Sequence, residues 1–393
     1  MKKILVMSAL AAVSAAFVAC SNENDLVQQK DEPTGYPLTI SVVDNDASRG
    51  TDLKKSSTFD FSIYSTMRET WETGVSFKNT NGTCTRNSQF ECSFPELNTE
   101  YTFYAISDPD NIADVNNDSN PDLPTLESSP VSFGYQIPNT YADQKDLLVA
   151  KATGNASENG GAVNVQFSHA LAQITAIKIY CNADNMKPAE APIWMFRYDG
   201  IRLGGLKAVG TYAFGRKDSN EKDDPWIVSE LDADNAVFEI PLDRTQMTFE
   251  NTSFVPGSKE NAKTLPLTDG GLYLIPQVAT SSVEDIAGGS EIVGAYIEVD
   301  IQAARDEAGM GPASVVPVYY NPETNWNNSS WTEAGTDQRG YGRARIPLRF
   351  SKLEGGKGYT LIVDVSKAII IDDDTDMEVN NPLLGSGITI EIS

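Results

Sequence analysis

Short segments in which apolar and polar residues alternate recur along the chain, and this pattern restricts it to β structure. Residues 36–43 place Leu38, Ile40 and Val42 on one face of a strand, and residues 59–64 repeat the pattern. Further segments of this kind are 100–106, 163–180, 237–242, 271–275, 295–301, 345–350, 359–365 and 387–392. Glycines and prolines fall mostly between them, where turns need them. We therefore expect an all-β fold of sandwich type, with one short helix over 281–287.

The first twenty residues indicate export. Lys2 and Lys3 precede an apolar run over 4–18, which is too short to span a bilayer, and Cys20 follows Ala19 directly. This pattern resembles a bacterial lipoprotein signal, in which Cys20 becomes the N-terminus and carries acyl chains. An ordinary secretory signal with a chance cysteine is the alternative. Residues 1–19 are then the signal, and the polar residues 20–35 form a flexible tether.

The remaining length suits two domains. A small, glycine-rich segment over 154–161 is the best internal boundary, which predicts an N-terminal β-sandwich domain over 36–160 and a C-terminal one over 161–393. The formal net charge of −25 repels phosphate backbones, so we expect no nucleic-acid partner.

Three cysteines remain after Cys20. Cys84 and Cys92 flank a polar turn symmetrically, so they are either joined by a disulfide across a hairpin or are two half-buried thiols. Cys181 has no evident partner and is expected in the core.

No pattern of catalytic or metal-binding residues stands out. His169 is the only histidine and lies within a strand pattern, where a structural role is the favoured interpretation. The acidic loop that begins near Asp114 lacks the glycine and the glutamate that a calcium loop needs. We therefore predict no enzyme, no cofactor and no metal site.

An Asn-rich stretch over 319–331 is the best candidate for a binding loop. Its aromatic residues could stack on sugar rings or anchor a protein partner, and they could equally form the inward side of a hairpin. These residues are Tyr319, Tyr320, Trp326 and Trp331.

Six segments together resemble the fimbrillin family, specifically the Mfa-like lipoprotein pilins of type V pili. Their order and spacing cover most of the chain after the signal. They are SRGT (48–51), FDFSIY (59–64), YTFYA (101–105), DQKDLLVA (143–150), FSHAL (167–171) and LIPQ (274–277). The resemblance implies two transthyretin-like β-sandwich domains in tandem, export as a lipoprotein, and polymerisation in a fimbrium at the outer membrane surface.

The resemblance also implies processing by an arginine-specific protease. Arg49 matches the position of the cut, so that Gly50 would become the new N-terminus. The cut would release the strand that carries Leu38, Ile40 and Val42 and leave an apolar groove, which another subunit's strand fills. Without the resemblance, Arg49 is an ordinary surface arginine.

The donor strand in this family comes from the C-terminal region. Ile388, Ile390 and Ile392 repeat the alternation of residues 38–42 and are the candidate donor. The alternative is that this strand completes its own domain.

We therefore expect a structural pilus subunit, stalk or tip, that acts in cell adhesion and has other pilin subunits and a host or bacterial surface receptor as partners. The alternative is a permanently lipid-anchored surface lipoprotein that binds a glycan or a protein.

Overall fold

The computed structural model describes residues 35–43, 58–87, 92–115, 120–182, 194–230, 235–255, 257–268, 271–286, 289–306, 315–317, 342–350, 352–365, 369–371 and 388–392. Within these ranges the protein is almost entirely β structure. The all-β fold class predicted from the alternation is therefore confirmed.

The strands of the first half, in chain order, are β1 Tyr36–Pro37, β2 Thr39–Val43, β3 Thr58–Tyr64, β4 Val75–Thr80, β5 Thr83–Arg86, β6 Ser93–Phe94, β7 Tyr101–Ile106, β8 Ser132–Gln136, β9 Leu148–Gly154, β10 Ala162–Gln166, β11 Ser168–His169 and β12 Ala172–Tyr180. Helix α1 covers Glu69–Glu72, and 3-10 turns cover Pro109–Asn111, Tyr141–Asp143 and Asn159–Gly161.

The strands of the second half are β13 Trp194–Lys207, β14 Val209–Ala213, β15 Trp226–Val228, β16 Asn235–Glu239, β17 Ser253–Phe254, β18 Lys263–Thr264, β19 Leu272–Leu274, β20 Ser281–Ile286, β21 Gly289–Gly294, β22 Tyr296–Asp306, β23 Val315–Pro317, β24 Gly342–Pro347, β25 Gly358–Asp364, β26 Ile369–Ile371 and β27 Ile388–Ile392. Helix α2 covers Phe249–Thr252, and 3-10 turns cover Arg244–Gln246 and Lys259–Asn261.

The strands form four larger sheets. An eight-stranded sheet has the order β10-β2-β5-β4-β3-β7-β9-β11, and a three-stranded sheet has the order β15-β14-β8. A five-stranded sheet runs β18-β12-β25-β27 with β19 also on β12, and a seven-stranded sheet runs β16-β13-β22-β24-β26 with β17 on β13 and β23 on β22. Two-stranded pairs join β1 to β6 and β20 to β21.

The helix predicted over 281–287 is wrong, because residues 281–286 form strand β20. This strand pairs antiparallel with β21 in register from Ser281↔Gly294 to Ile286↔Gly289. Ala287 and Gly288 stand between the two strands in the sequence, and a two-residue connection that contains glycine is typical of a hairpin.

The buried apolar residues form two cores. The first core contains Leu38, which directly precedes β2, and Ile40 and Val42 of β2, with an aromatic cluster that includes Phe61. The second core draws mainly on strands after residue 170. In three strands, two consecutive residues are buried in different cores, the first in the first core and the second in the second core. These pairs are Ile63 and Tyr64 of β3, Ala105 and Ile106 of β7, and Leu148 and Val149 of β9. Since successive side chains of a strand point to opposite faces, this end of the eight-stranded sheet buries both faces.

Hydrogen bonding crosses the predicted boundary near residue 160. Strand β8 pairs antiparallel with β14 in register from Val209↔Gln136 to Ala213↔Ser132. The division into domains over 36–160 and 161–393 stays a prediction.

A buried carboxylate fixes the register of the seven-stranded sheet. Glu298 is 4% exposed, and its carboxylate accepts hydrogen bonds from Arg202 Nη1 at 3.1 Å and from Arg345 Nε at 2.8 Å. Arg202 and Arg345 face Glu298 directly from β13 and β24. The Arg345 guanidinium also lies 4.3 Å from the centre of the Tyr296 ring. A slip of one residue would turn these charged side chains to the other face of the sheet. The three charges therefore specify the register of β13, β22 and β24.

We predict that Glu298→Gln lowers the free energy of unfolding by about 2–4 kcal/mol, because Arg345 loses its charged acceptor in a largely buried place and Arg202 loses one and keeps Asp300, at 2.9 Å. Chemical denaturation monitored by circular dichroism measures this loss. Asp199→Asn is the matched control, since Asp199 and its partner Arg244 are both exposed, and it should change the value by less than about 0.5 kcal/mol. Equal losses of unfolding free energy in the two variants would contradict a stabilising role for the buried Glu298 carboxylate.

Candidate functional site

Strand β2 lies inside the eight-stranded sheet, between β10 and β5. It pairs parallel with β10 over five residues, from Ala162↔Thr39 to Gln166↔Val43. On its other side it pairs antiparallel with β5 through Ser41↔Thr83. Leu38 directly precedes β2 and is buried like Ile40 and Val42, so from here on we count it with β2, and we call the space that residues 38–43 fill the β2 slot. Its removal would leave both β10 and β5 with an unpaired border.

The inward side chains of β2 cover the first core. Leu38, Ile40 and Val42 are 7%, 5% and 4% exposed, whereas Thr39 is exposed. Val163 and Val165 of the neighbouring β10 are buried in the same core. Burial of three side chains of this size contributes roughly 5–9 kcal/mol as an upper limit. The predicted apolar face of residues 38–42 therefore lies over a hydrophobic floor.

Aromatic rings form much of that floor. Phe61 stacks on Phe77 at 5.7 Å between ring centres and meets Phe167 edge-on at 5.2 Å. Trp71 of helix α1 is fully buried and meets Phe103 edge-on at 5.9 Å. Such packed rings hold the shape of the floor, since aromatic pairs add to the burial of their area.

The segment before β2 is held by close backbone contacts. Gly161 has a φ of +80°, and a Cβ atom there would lie 1.9 Å from the carbonyl oxygen of Pro37. Ser93 pairs with Pro37, and the Arg68 guanidinium donates to the Ser93 carbonyl at 3.2 Å and to its hydroxyl at 3.1 Å. Glycine is therefore required at position 161, both for its conformation and for its closeness to this segment.

Cys84 and Cys92 are thiols in the structure, and both contact β2. The Cys92 thiol donates to the Leu38 carbonyl at 3.5 Å, and the Cys84 sulfur has a hydrogen bond with the backbone of Val42. Four residues of extended chain, about 13 Å, separate these two contact points. A disulfide needs Cα atoms within about 7 Å, so of the two alternatives this arrangement favours the two half-buried thiols.

His169 joins two of the segments that carry the family resemblance. Its Nδ1 atom is hydrogen-bonded to Asp146 Oδ2, and the His169 side chain is only 10% exposed. The neighbouring Gln144 side chain accepts a hydrogen bond from the Tyr273 backbone at 2.9 Å. Burial, with Asp146 nearby, raises the pKa of Tyr273 to about 12. These contacts connect residues 144–146 to β11 and β19, which agrees with a structural role for the histidine.

The C-terminal strand lies in the five-stranded sheet. Strand β27, with Ile388, Ile390 and Ile392, pairs antiparallel with β25 in register from Tyr359↔Ile392 to Val363↔Ile388. It is the last strand of that sheet. The alternative in which this strand completes its own chain is the arrangement present here.

Several predicted site residues lie outside the described residues. They are Cys20, Arg49, Gly50, Tyr319, Tyr320, Trp326 and Trp331. Within the described ranges, no group of three or more histidine, cysteine or acidic residues is arranged to hold a metal ion. In that same part of the chain, no helix has the length and apolar character needed to cross a membrane.

Sequence reasoning missed the contacts that hold β2 on its borders. The parallel partner β10, the close approach of Gly161 and the two thiol contacts all join residues that are distant along the chain. The glycines at 160 and 161 were a usable signal, because a glycine pair beside a strand often marks close backbone approach.

The chain belongs to the fimbrillin-like family, whose sequence profile matches residues 47–293. This match confirms the resemblance seen in the sequence. The protein is therefore a non-enzymatic pilus subunit or adhesin of the cell surface that associates with other pilin subunits.

Similar solved structures come from species of Bacteroides and Parabacteroides. A fimbrial protein from Bacteroides vulgatus is 15% identical, with 91% of this chain and 98% of that chain covered and a TM-score of 0.40. A putative cell adhesion protein from Bacteroides ovatus is 14% identical, with 87% and 97% covered and a TM-score of 0.37. A fimbrial assembly protein from Parabacteroides distasonis is 9% identical, with 84% and 91% covered and a TM-score of 0.34. The chain matches no curated protein sequence.

We predict that Ile40→Ala destabilises the docking of β2 by about 2–4 kcal/mol, because it leaves a cavity above the first core. Native-state hydrogen exchange should show faster exchange of the amides of residues 39–43. Thr39→Ala, on the exposed face of the same strand, is the control and should change exchange little. If the amides of residues 39–43 exchanged at the wild-type rate in both variants, the burial of Ile40 would not be what keeps β2 docked in the sheet.

Proposed function

We propose that this protein is a stalk or tip subunit of a pilus, exported as a lipoprotein and assembled by strand exchange after cleavage at Arg49. The observation that supports this most is the place of β2, an internal strand with three buried apolar side chains. Arg49 lies between β2, which ends at Val43, and β3, which begins at Thr58. A cut there separates β2 from the covalent chain of all later strands.

After the cut, only non-covalent contacts retain β2. These are the ladders to β10 and β5, the β1 pairing to β6, and the apolar contacts to the first core. A strand that leaves exposes two hydrogen-bonding borders and a hydrophobic floor. Another extended segment with alternating apolar residues can satisfy both, which is the physical basis of β-augmentation.

The C-terminal strand of another copy is the proposed donor. Ile388, Ile390 and Ile392 have the same spacing as Leu38, Ile40 and Val42. Among the strands that the structure describes, β27 pairs with β25 and is last in the order of its sheet. Its departure would therefore break its pairing with β25 and leave the other described strand pairs intact. In a tip subunit β27 would remain in its own sheet, and only the β2 slot would be used.

The proposed route begins at the outer membrane. Acyl chains on Cys20 would hold the precursor at the membrane surface, and several chains together hold firmly where one holds marginally. Cleavage at Arg49 removes Cys20 and β2 on one fragment. Release from the membrane and opening of the slot would thus be a single event.

We predict that an arginine-specific protease converts the purified full-length protein into a ladder of polymers on a mild-detergent gel. Mass spectrometry should identify Gly50 as the new N-terminus. Arg49→Ala should abolish both the new terminus and the ladder, because the strand stays covalently attached. Arg244→Ala, which changes an exposed arginine elsewhere, is the control and should behave as the wild type.

A verified cut at Arg49 that leaves an unchanged monomer would contradict strand exchange. Retention of acylated Cys20 on the mature surface protein would favour a permanently anchored binding protein instead. Loss of glycan binding in Trp326→Ala or Trp331→Ala would support that alternative.

A further inference from the structure

Two cysteine side chains contact the backbone of β2 at different points. The Cys92 thiol donates to the Leu38 carbonyl at 3.5 Å, and Cys84 has a hydrogen bond with the backbone of Val42. Thr83, next to Cys84, pairs with Ser41 in the middle of β2. Both cysteines are half-buried and pack against the first core. The two sulfurs therefore belong to the lining of the β2 slot.

The docked strand contacts both half-buried thiols and so restricts the access of reagents to them. Burial raises the pKa of Cys84 to about 11, and the hydrogen bond with the Val42 backbone offsets part of this rise. The thiolate is the reactive form of cysteine, so a raised pKa lowers its population at neutral pH. Cys92 has its S–H group directed to a β2 carbonyl. The hydrogen-bond partners of both sulfurs, at Leu38 and Val42, leave with the strand, and their departure opens both sulfurs to solvent.

We propose that Cys84 and Cys92 are modification sites that β2 protects, and that low-molecular-weight disulfides react with them when the slot is open. The inference deepens the proposed function, because it concerns the same slot after β2 has left. It gives the open slot a chemical signature that the closed slot lacks.

The reaction is thiol–disulfide exchange. The cysteine loses its proton, and the thiolate attacks one sulfur of the small disulfide. The bond between the two sulfurs of the reagent breaks, a new bond joins its sulfur to the cysteine, and the second half leaves as a thiolate that can take up the proton. The attached group then projects into the space that a strand backbone would fill. A modified slot should therefore bind a strand poorly.

Cys181 provides an internal control. It is fully buried in the second core, and burial with Asp364 nearby raises its pKa. It has no role in the β2 slot. It should stay unreactive as long as the second core is folded, so its protection separates slot opening from general unfolding.

The test uses 5,5′-dithiobis(2-nitrobenzoate) as the probe, on the full-length protein with Cys20→Ser, which leaves Cys84, Cys92 and Cys181 as its three thiols. Ile40→Asp or, more mildly, Ile40→Ala loosens β2 in this background. We expect two thiols to react about tenfold faster than without the Ile40 substitution, because an open slot exposes both sulfurs to water and to the reagent. Cys84→Ser and Cys92→Ser in the same background should each remove one of the fast thiols. Thr39→Ala should react as the wild type does.

Equal reaction rates in the wild type and both Ile40 variants, with Cys181 protected throughout, would overturn the proposal. Faster reaction of all three thiols would also overturn it, because it would report unfolding rather than an open slot. No protease is used, so this result is independent of cleavage at Arg49. Fast slot thiols together with a protease-treated monomer would sustain the inference and refute strand exchange.

The blocked slot is tested on protein cut at Arg49 with a synthetic peptide of residues 36–43. We expect the peptide to bind at least tenfold more weakly after modification and to recover its binding after dithiothreitol treatment. Unchanged binding by the modified protein would overturn the claim that the attached group occupies the strand's space.

Discussion

Burial on both faces of strands β3, β7 and β9 is the constraint on which the other features rest. Ile63 enters the first core while Tyr64 enters the second, so the same backbone serves two hydrophobic clusters. A strand committed on both faces cannot change register without exposing apolar area on each. The register of β3, β7 and β9 is thereby fixed. Strand β2 lies toward the other end of the strand order and contributes to the first core alone.

This difference explains how β3, β7 and β9 can stay in place in the same sheet from which β2 is proposed to leave. Loss of β2 would remove three side chains from the first core but none from the second. The aromatic floor around Phe61 and Trp71 is built by other strands and helix α1, so most of its packing does not depend on β2. The departure of β2 that the proposed function requires would therefore affect the first core and the edges of β10 and β5.

The sequence predicted the strands better than their partners. Alternation located β3, β7 and β25 closely, because each buries at least one face and ends near turn-forming residues. The long alternating run over 163–180 instead forms β10, β11 and β12, since Phe167 belongs to the first core and Leu171 to the second. The alternation of apolar residues along the sequence predicts that a residue is buried, but it does not predict in which of the two cores.

The candidate site was predictable in the same partial way. The apolar face of residues 38–42 follows from alternation, but its parallel pairing with β10 joins segments more than a hundred residues apart. The contacts of Cys84 and Cys92 with β2 depend on that three-dimensional arrangement as well. Symmetric spacing around a turn is compatible with a disulfide or with two thiols, and no local pattern indicates that residues 38–42 contact both sulfurs.

The joint between His169 and Asp146 offers a practical consequence. The chain has a single imidazole, so its ring signals in a magnetic resonance spectrum need no assignment among several histidines. That ring sits where β11 meets the segment leading into β9. One pair of peaks would therefore report whether this joint stays intact while the other end of the sheet is rebuilt.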